Sequence, residues 1–265
     1  MPDPEKTVRD EQREAQDKGA VMKDGDESTP NRMKIDLHCH TQYSWDCVTP
    51  IEAIPPRMIE TGIRVQAITD HNNIEGALAA RRLVQKEYPQ LDIIVGEEVL
   101  TDEGEIIGLF LKEHIPRGLS AIETIARIRG QGGLVLLPHG FDPLKKLRLR
   151  PDVRNELRNQ IDIIETFNAR VNRDKWNQAA AHYAEESGAY QSSGSDAHTL
   201  RDIGGAWVEA PYMRIDTPAD LLKALEGGVP VGKRVHPGIS LLYRLFDAAR
   251  GQLRRWGRQL QRAFN

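Results

Sequence analysis

Residues 33–46 read MKIDLHCHTQYSWD: a short apolar run, two histidines two apart, and an aspartate six residues after the second. Side chains on an extended strand alternate faces, so His38 and His40 point the same way, about 7 Å apart along the chain. That spacing suits two imidazoles gripping one metal ion. An HxH pair alone is weak, because histidines also fall side by side by chance. The rest of the chain decides the matter. ITDH (68–71) closes another apolar run with Asp70 and His71, VGEEV (95–99) carries Glu97 and Glu98, LLPHG (136–140) ends with His139, and SGSDAH (193–198) sets Asp196 and His198 two apart. Five of the eight histidines therefore lie at the ends of β-like runs.

Working outward, the runs 34–38, 65–70, 92–99, 105–111, 134–138, 162–167, 189–195 and 206–210 are strand candidates. Helical patterns over 50–62, 73–88, 120–130, 173–187 and 217–226 lie between them, the first introduced by Thr49 as cap and Pro50 in the first turn. Alternation of strand and helix predicts an α/β fold with a mostly parallel sheet, and seven or eight units favour a barrel over an open sheet. The C-terminal ends of parallel strands are where such folds build their sites. Five histidines with carboxylates at that one end would be costly to cluster without a cation, which points to a multinuclear metal site. His114, His182 and His236 fall outside the pattern and read as surface residues.

At 265 residues, 39% hydrophobic and 28% charged, the chain has the composition of an ordinary globular domain. No run approaches the ~18 apolar residues of a membrane span, and no apolar signal core opens the chain, so a cytoplasmic protein is expected. Cys39 and Cys47 form no CxxC pair; they read first as small buried thiols and second as metal ligands. Residues 1–32 are polar, lack apolar periodicity and read as a disordered tail. Met33 directly precedes the first strand, making it a candidate start, and removal of 1–32 is expected to leave activity intact. Residues 33–235 form the barrel domain and 236–265 a basic amphipathic helix, with Leu242, Phe246, Ala249, Leu253, Trp256 and Leu260 on one face. That helix has three candidate partners: the protein's own body, a membrane surface, or nucleic acid. Charge is uneven. Residues 233–265 hold eight basic residues against Asp247, while residues 1–33 hold six against nine acidic, leaving an acidic middle.

The segments DLHCHTQYSWD, ITDHNN, GEEV, PHG and GSDAH resemble, in order and spacing, the motifs of the PHP (polymerase and histidinol phosphatase) family over about residues 34–210. The resemblance implies a distorted (β/α)7 TIM-like barrel holding two or three divalent ions that hydrolyses phosphate esters. Carried over by motif, His38, His40 and Asp196 would hold the first metal. Glu98, chosen over Glu97 by its position after Gly96, would bridge to a second at His139, and Asp46, His71 and His198 would hold a third. Glu105 stands where many members have histidine; a carboxylate there weakens the second site, shifts it towards Mn²⁺, or leaves a two-metal core. Mn²⁺, Zn²⁺ and Fe²⁺ all suit such ligands.

The chemistry implied is attack by a metal-bound hydroxide, with Asp196 in the metal cradle and His198 or a metal-bound water protonating the leaving group. Ser44 and Ser195 sit in no nucleophile elbow, so covalent catalysis is not expected. Arg170 and Asn168 are the preferred phosphate contacts, with Arg201 a further one, whereas Lys145 and Lys146 read as solvated. Asp70 is either a partner orienting a ligating imidazole or a helix N-cap, and Glu165 either a carboxylate behind the ligands or a surface group. RGQGGL lacks the P-loop ending, so no dinucleotide cofactor is implied. The expected substrate is a small phosphorylated metabolite or nucleotide. The alternatives are an exonuclease acting on RNA or DNA, and a non-catalytic metal-binding accessory module.

Overall fold

Isoleucine, valine and leucine fill the short runs that pair into sheet, and they do so over residues 32–235, which the computed structural model describes. The tail through residue 31 and the helix expected over 236–265, His236 included, lie outside the described residues. Nine strands occur among the described residues: β1 (Arg32–Asp36), β2 (Ile63–Ile68), β3 (Asp92–Thr101), β4 (Gly104–Leu109), β5 (Leu134–Leu137), β6 (Ile163–Asn168), β7 (Tyr190–Gly194), β8 (Ala206–Pro211) and β9 (Val229–Gly232). Their order is β7-β6-β5-β4-β3-β2-β1-β8-β9. Past Asp36 the chain stays extended and runs beside the residues that follow β7. Leu37 N–H donates to the Ser193 carbonyl, Asp196 N–H to that of His38, and His40 N–H to that of Ala197. Strands β1 to β7 thus nearly close into a barrel, with β8 and β9 branching from the first half of β1.

The barrel is distorted at β4, which runs antiparallel to both β3 and β5. Only Asp102 and Glu103 separate β3 from β4, a connection long enough for a hairpin and too short for a crossover helix. Gly104 closes the turn at φ 129°, and a Cβ there would stand 2.5 Å from the Arg148 carbonyl oxygen. The helices are α1 (Ile54–Thr61), α2 (Glu75–Glu87), α3 (Ala121–Gly130), α4 (Pro151–Glu156), α5 (Asp174–Ser187) and α6 (Pro218–Glu226). Four of the expected helices match to within one or two residues. The first begins as a 3-10 turn at Ile51–Ala53, with Pro50 rather than a Thr49 side chain at its cap. Helix α4 and strand β9 carry no sequence periodicity long enough to read: α4 is a turn and a half, and β9 contains Pro230.

Strand β1 begins at Arg32, which pairs with Pro211 and whose guanidinium reaches the Glu209 and Gly227 carbonyls. Strand β1 thus begins one residue before the boundary expected after residue 32, and Met33 is a buried strand residue. Alternation sorts the core into two clusters. Val135 and Leu137 pack with Met58, Ala80, Ile125 and Ala180 of the helices. Leu134 and Leu136 join Ile35, Val65, Ile94, Ile107 and Ile163 on the other face, where Leu221 and Leu225 of α6 are the helical contribution. No helix among the described residues is long and apolar enough to cross a membrane.

Candidate metal centre

His38 and His40 lie on the extended continuation of β1, two and four residues beyond its last paired position, and the Cys39–Ala197 bridge holds that continuation in place. Their Nε2 atoms face each other at 3.1 Å. Glu165 Oε1 lies 3.1 Å from His38 Nδ1, and a carboxylate can only accept, so Nδ1 carries the His38 proton. Ser44 Oγ donates to Asp70 at 2.8 Å and accepts from His71 N–H, which leaves it to accept from His40 Nδ1 at 3.1 Å. Both Nε2 atoms then face one another in a buried site, where the second proton of His38 lies between them. A metal ion would take the place of that proton and use both nitrogens as ligands.

Glu98 sits in the middle of the cleft. Its Oε2 lies 3.4 Å from both His38 Nε2 and His40 Nε2 and 3.1 Å from His71 Nδ1, while Oε1 is 3.1 Å from His139 Nε2. It shares a strand face with Ile94, which belongs to the strand-enclosed cluster. Its neighbour Glu97 turns to the opposite face, where it meets His114 at 2.7 Å and accepts from Ile115 N–H. Asp196 Oδ1 is 3.7 Å from His38 Nε2 and 3.6 Å from His40 Nε2. Asp46 Oδ2 reaches His198 Nε2 at 2.9 Å and His71 Nε2 at 3.6 Å, and His198 Nδ1 donates to the Asp196 carbonyl. Four overlapping groups have ligand atoms within 4.8 Å of one another: His38–His40–Asp196, His38–Glu98–His139, His40–His71–His198 and His71–Glu98–Glu105. Glu105 enters because β4 is reversed, so the second residue of that strand arrives at the mouth where the other strands end. It stands 3.7 Å from His71 and 3.9 Å from His139.

Several side chains differ from their sequence-based roles. Lys145, expected in solvent, places Nζ 2.5 Å from Asp196 Oδ2. Asn168, expected to contact phosphate, is fully buried and donates to Glu165 at 2.9 Å and to Asp196 at 3.3 Å, so its amide is spent on orienting carboxylates. Arg170 donates to the Asp196 carbonyl at 3.2 Å, and Arg201 lies exposed in the loop after His198. Glu165 stands behind the histidines: besides facing His38, it accepts from the His139 and Asn168 N–H groups. Asp70 caps no helix; it accepts from Thr41 N–H, Thr41 Oγ1 and Ser44, fixing the turn after His40. Trp45, which the sequence reading passed over, stacks on His71 with ring centroids 5.9 Å apart.

Burial disfavours charge on every group here, and the neighbours decide the outcome. Burial, helped by His198 and His71, holds His40 well below the usual histidine range. At His38 burial is outweighed by Glu165, Glu98 and Asp196, and the pKa rises well above that range. His71 is pushed up to about 9 by Glu98, Asp46 and Glu105 against the pull of burial. Burial and then Glu98 push Glu105 up to about 9. Burial, followed by Arg170, lowers His198 against the pull of Asp46 and Asp196.

The donor set fits divalent ions by two signs beyond composition. Glu98 Oε2, Asp46 Oδ1 and His139 Nδ1 are buried without a hydrogen-bond partner. His139 and Asp196 are held at φ 27° and 49°, strain of about 1 kcal/mol or more that persists where a site demands it. The imidazole and carboxylate mixture suits hard and borderline metals.

Among known proteins, the family model described as the PHP domain matches residues 36–191, and a PHP-associated model matches 174–230. An uncharacterized protein of Methanocaldococcus jannaschii is 34% identical over 194 residues, 71% of this chain and 75% of its own length. A second from that organism is 47% identical over 124 residues, 43% of this chain and 71% of its own. A two-domain protein of Bacteroides vulgatus, containing a predicted PHP-like metal-dependent phosphoesterase, superposes with a TM-score of 0.63 at 14% identity, over 77% of this chain and 66% of that one. At that identity the likeness is one of fold.

Proposed function

The chain belongs to the PHP domain family, and from that premise we propose that it is a metal-dependent phosphoesterase acting on a small phosphate ester. The observation that carries the reading is the His38–His40 pair, whose Nδ1 protons are taken by Glu165 and Ser44 so that both Nε2 atoms converge at 3.1 Å. His38, His40 and Asp196 would hold one ion, Glu98 and His139 with Glu105 a second, and Asp46, His71 and His198 a third. When bound, such ions make water nucleophilic near neutral pH and neutralise charge on the phosphoryl oxygens.

The chain's own residues do the rest. Glu165, Ser44 and the Asp196 carbonyl each hold an imidazole in one tautomer, so the donors are set before any ion arrives. Lys145 and Arg170 supply fixed positive charge beside Asp196 for an incoming phosphate. His198, with Nδ1 on the Asp196 carbonyl and Nε2 beside Asp46, is placed to offer Nε2 to a metal ion. The test couples metal analysis to phosphate release from aryl monoesters, diesters, nucleoside bisphosphates and short RNA, each with and without Mn²⁺. Metal-dependent release from monoesters or bisphosphates is expected. Cleavage confined to diesters or RNA would replace this reading with a nuclease, and bound metal without turnover would replace it with an accessory module.

A further inference from the structure

Trp45 is 74% exposed, a costly position for so large an apolar ring. It is nonetheless held in place. Ser44 before it is tied to Asp70 and the His71 N–H, and Asp46 after it meets His198. The indole lies on the His71 ring at an interplanar angle of 27°. Other exposed apolar side chains stand beside cleft residues in the same manner. Leu144 precedes Lys145, Leu147 offers its carbonyl to the Glu105 N–H, and Leu200 follows His198 by two. Three separate loops that carry residues of the charged, buried cleft thus also carry exposed apolar side chains, more than scattered surface hydrophobics would place there.

We propose that Trp45 is a stacking platform for a flat ring in the alcohol portion of the ester, so that the substrate class is small phosphate esters bearing an aromatic group close to the phosphate. This rests on the phosphoesterase reading. The leucines would accept any apolar group. The indole adds selectivity for a ring, because its π face rewards stacking and its pinned backbone loses little freedom on binding.

Two phosphonates of nearly equal size, benzylphosphonate and cyclohexylmethylphosphonate, separate aromatic from merely apolar recognition. They are titrated calorimetrically into the Mn²⁺-loaded full chain, and the corresponding phosphates are assayed for turnover. The benzyl compound is expected to bind about three- to tenfold more tightly. That ratio should fall towards one in Trp45→Ala and return in Trp45→Phe. Equal affinities in the unaltered protein, or a ratio that Trp45→Ala leaves intact, overturn the platform. Phosphate release without ring selectivity overturns it too, while sparing the phosphoesterase. Ring-selective binding with no phosphate release from either ester overturns the phosphoesterase and leaves the platform standing. Binding of neither phosphonate overturns both.

Discussion

At the base of the barrel, Arg64 at the start of β2 meets Asp92 at the start of β3 at 3.1 Å, and Arg214 meets Asp216 at 2.6 Å. These pairs line a cavity of about 580 Å³ that also takes in Arg81, Lys112 and the beginning of α6. At the mouth, Asp46, Glu98, Glu105, Glu165 and Asp196 have, among the described residues, Lys145 and Arg170 as their lysine and arginine neighbours, and five imidazoles occupy the remaining positions. The base pairs its carboxylates with guanidinium groups near solvent, where such pairs are worth little and cost little. The mouth buries carboxylates without matching positive charge, a debt that protons or metal ions must cover. Surplus buried carboxylate, more than the number of histidines, separates a metal centre from an ordinary polar rim.

The contrast breaks most readily at the mouth. His40→Ala or Asp196→Ala should abolish metal-dependent turnover and lower metal content in a protein whose circular dichroism is unchanged; wild-type activity in either would remove the assigned site. Glu165→Gln should weaken metal affinity by about 10- to 100-fold, because the amide no longer fixes the His38 tautomer. A metal titration showing unaltered affinity would reduce Glu165 to packing.

Protons sharpen the comparison further. His38, with its raised pKa, and His71 and Glu105, each at about 9, hold protons at pH 7 that an entering ion must displace. Metal affinity should therefore rise with pH towards about 9, by about tenfold per unit for each proton displaced, with protons released on binding. Calorimetry in buffers of differing ionisation enthalpy measures that release, and affinity independent of pH would mean the carboxylates are already neutralised from within. The smallest effect belongs to the base. Asp92→Asn should cost under about 1 kcal/mol in denaturant unfolding and leave metal content unchanged. Metal loss there would erase the distinction between the two ends.

Much of the mouth was legible from sequence because histidine is scarce and its placement at the ends of apolar runs is hard to explain otherwise. The choice of Glu98 over Glu97 follows from alternation once a face is known, and Ile94 supplies the face. What escaped reading depends on distance in space rather than periodicity along the chain. Lys145 sits in a run of basic residues that looks solvated, and only the fold of the loop after His139 turns it onto Asp196. Asn168 carries the same amide whether it faces phosphate or a carboxylate. The reversal of β4 also escaped reading: the runs 92–99 and 105–111 stand five residues apart in the sequence, and only the structure extends them until Asp102 and Glu103 alone remain as a hairpin turn. Trp45 gave no periodic signal at all, being a single exposed ring in a turn.

The seam between β1 and the segment after β7 has a consequence for how the protein comes into being. Asp36 and Ser195, bonded across it, are 159 residues apart in the sequence, and His38, His40 and Asp196 straddle the same line. A chain emerging from the ribosome holds its first two imidazoles early but cannot complete their coordination until the last barrel strand has been made. Metal capture is thereby deferred to the final act of closure. An ion bound there clasps the oldest and youngest parts of the barrel together, and its retention reports that everything between them has folded.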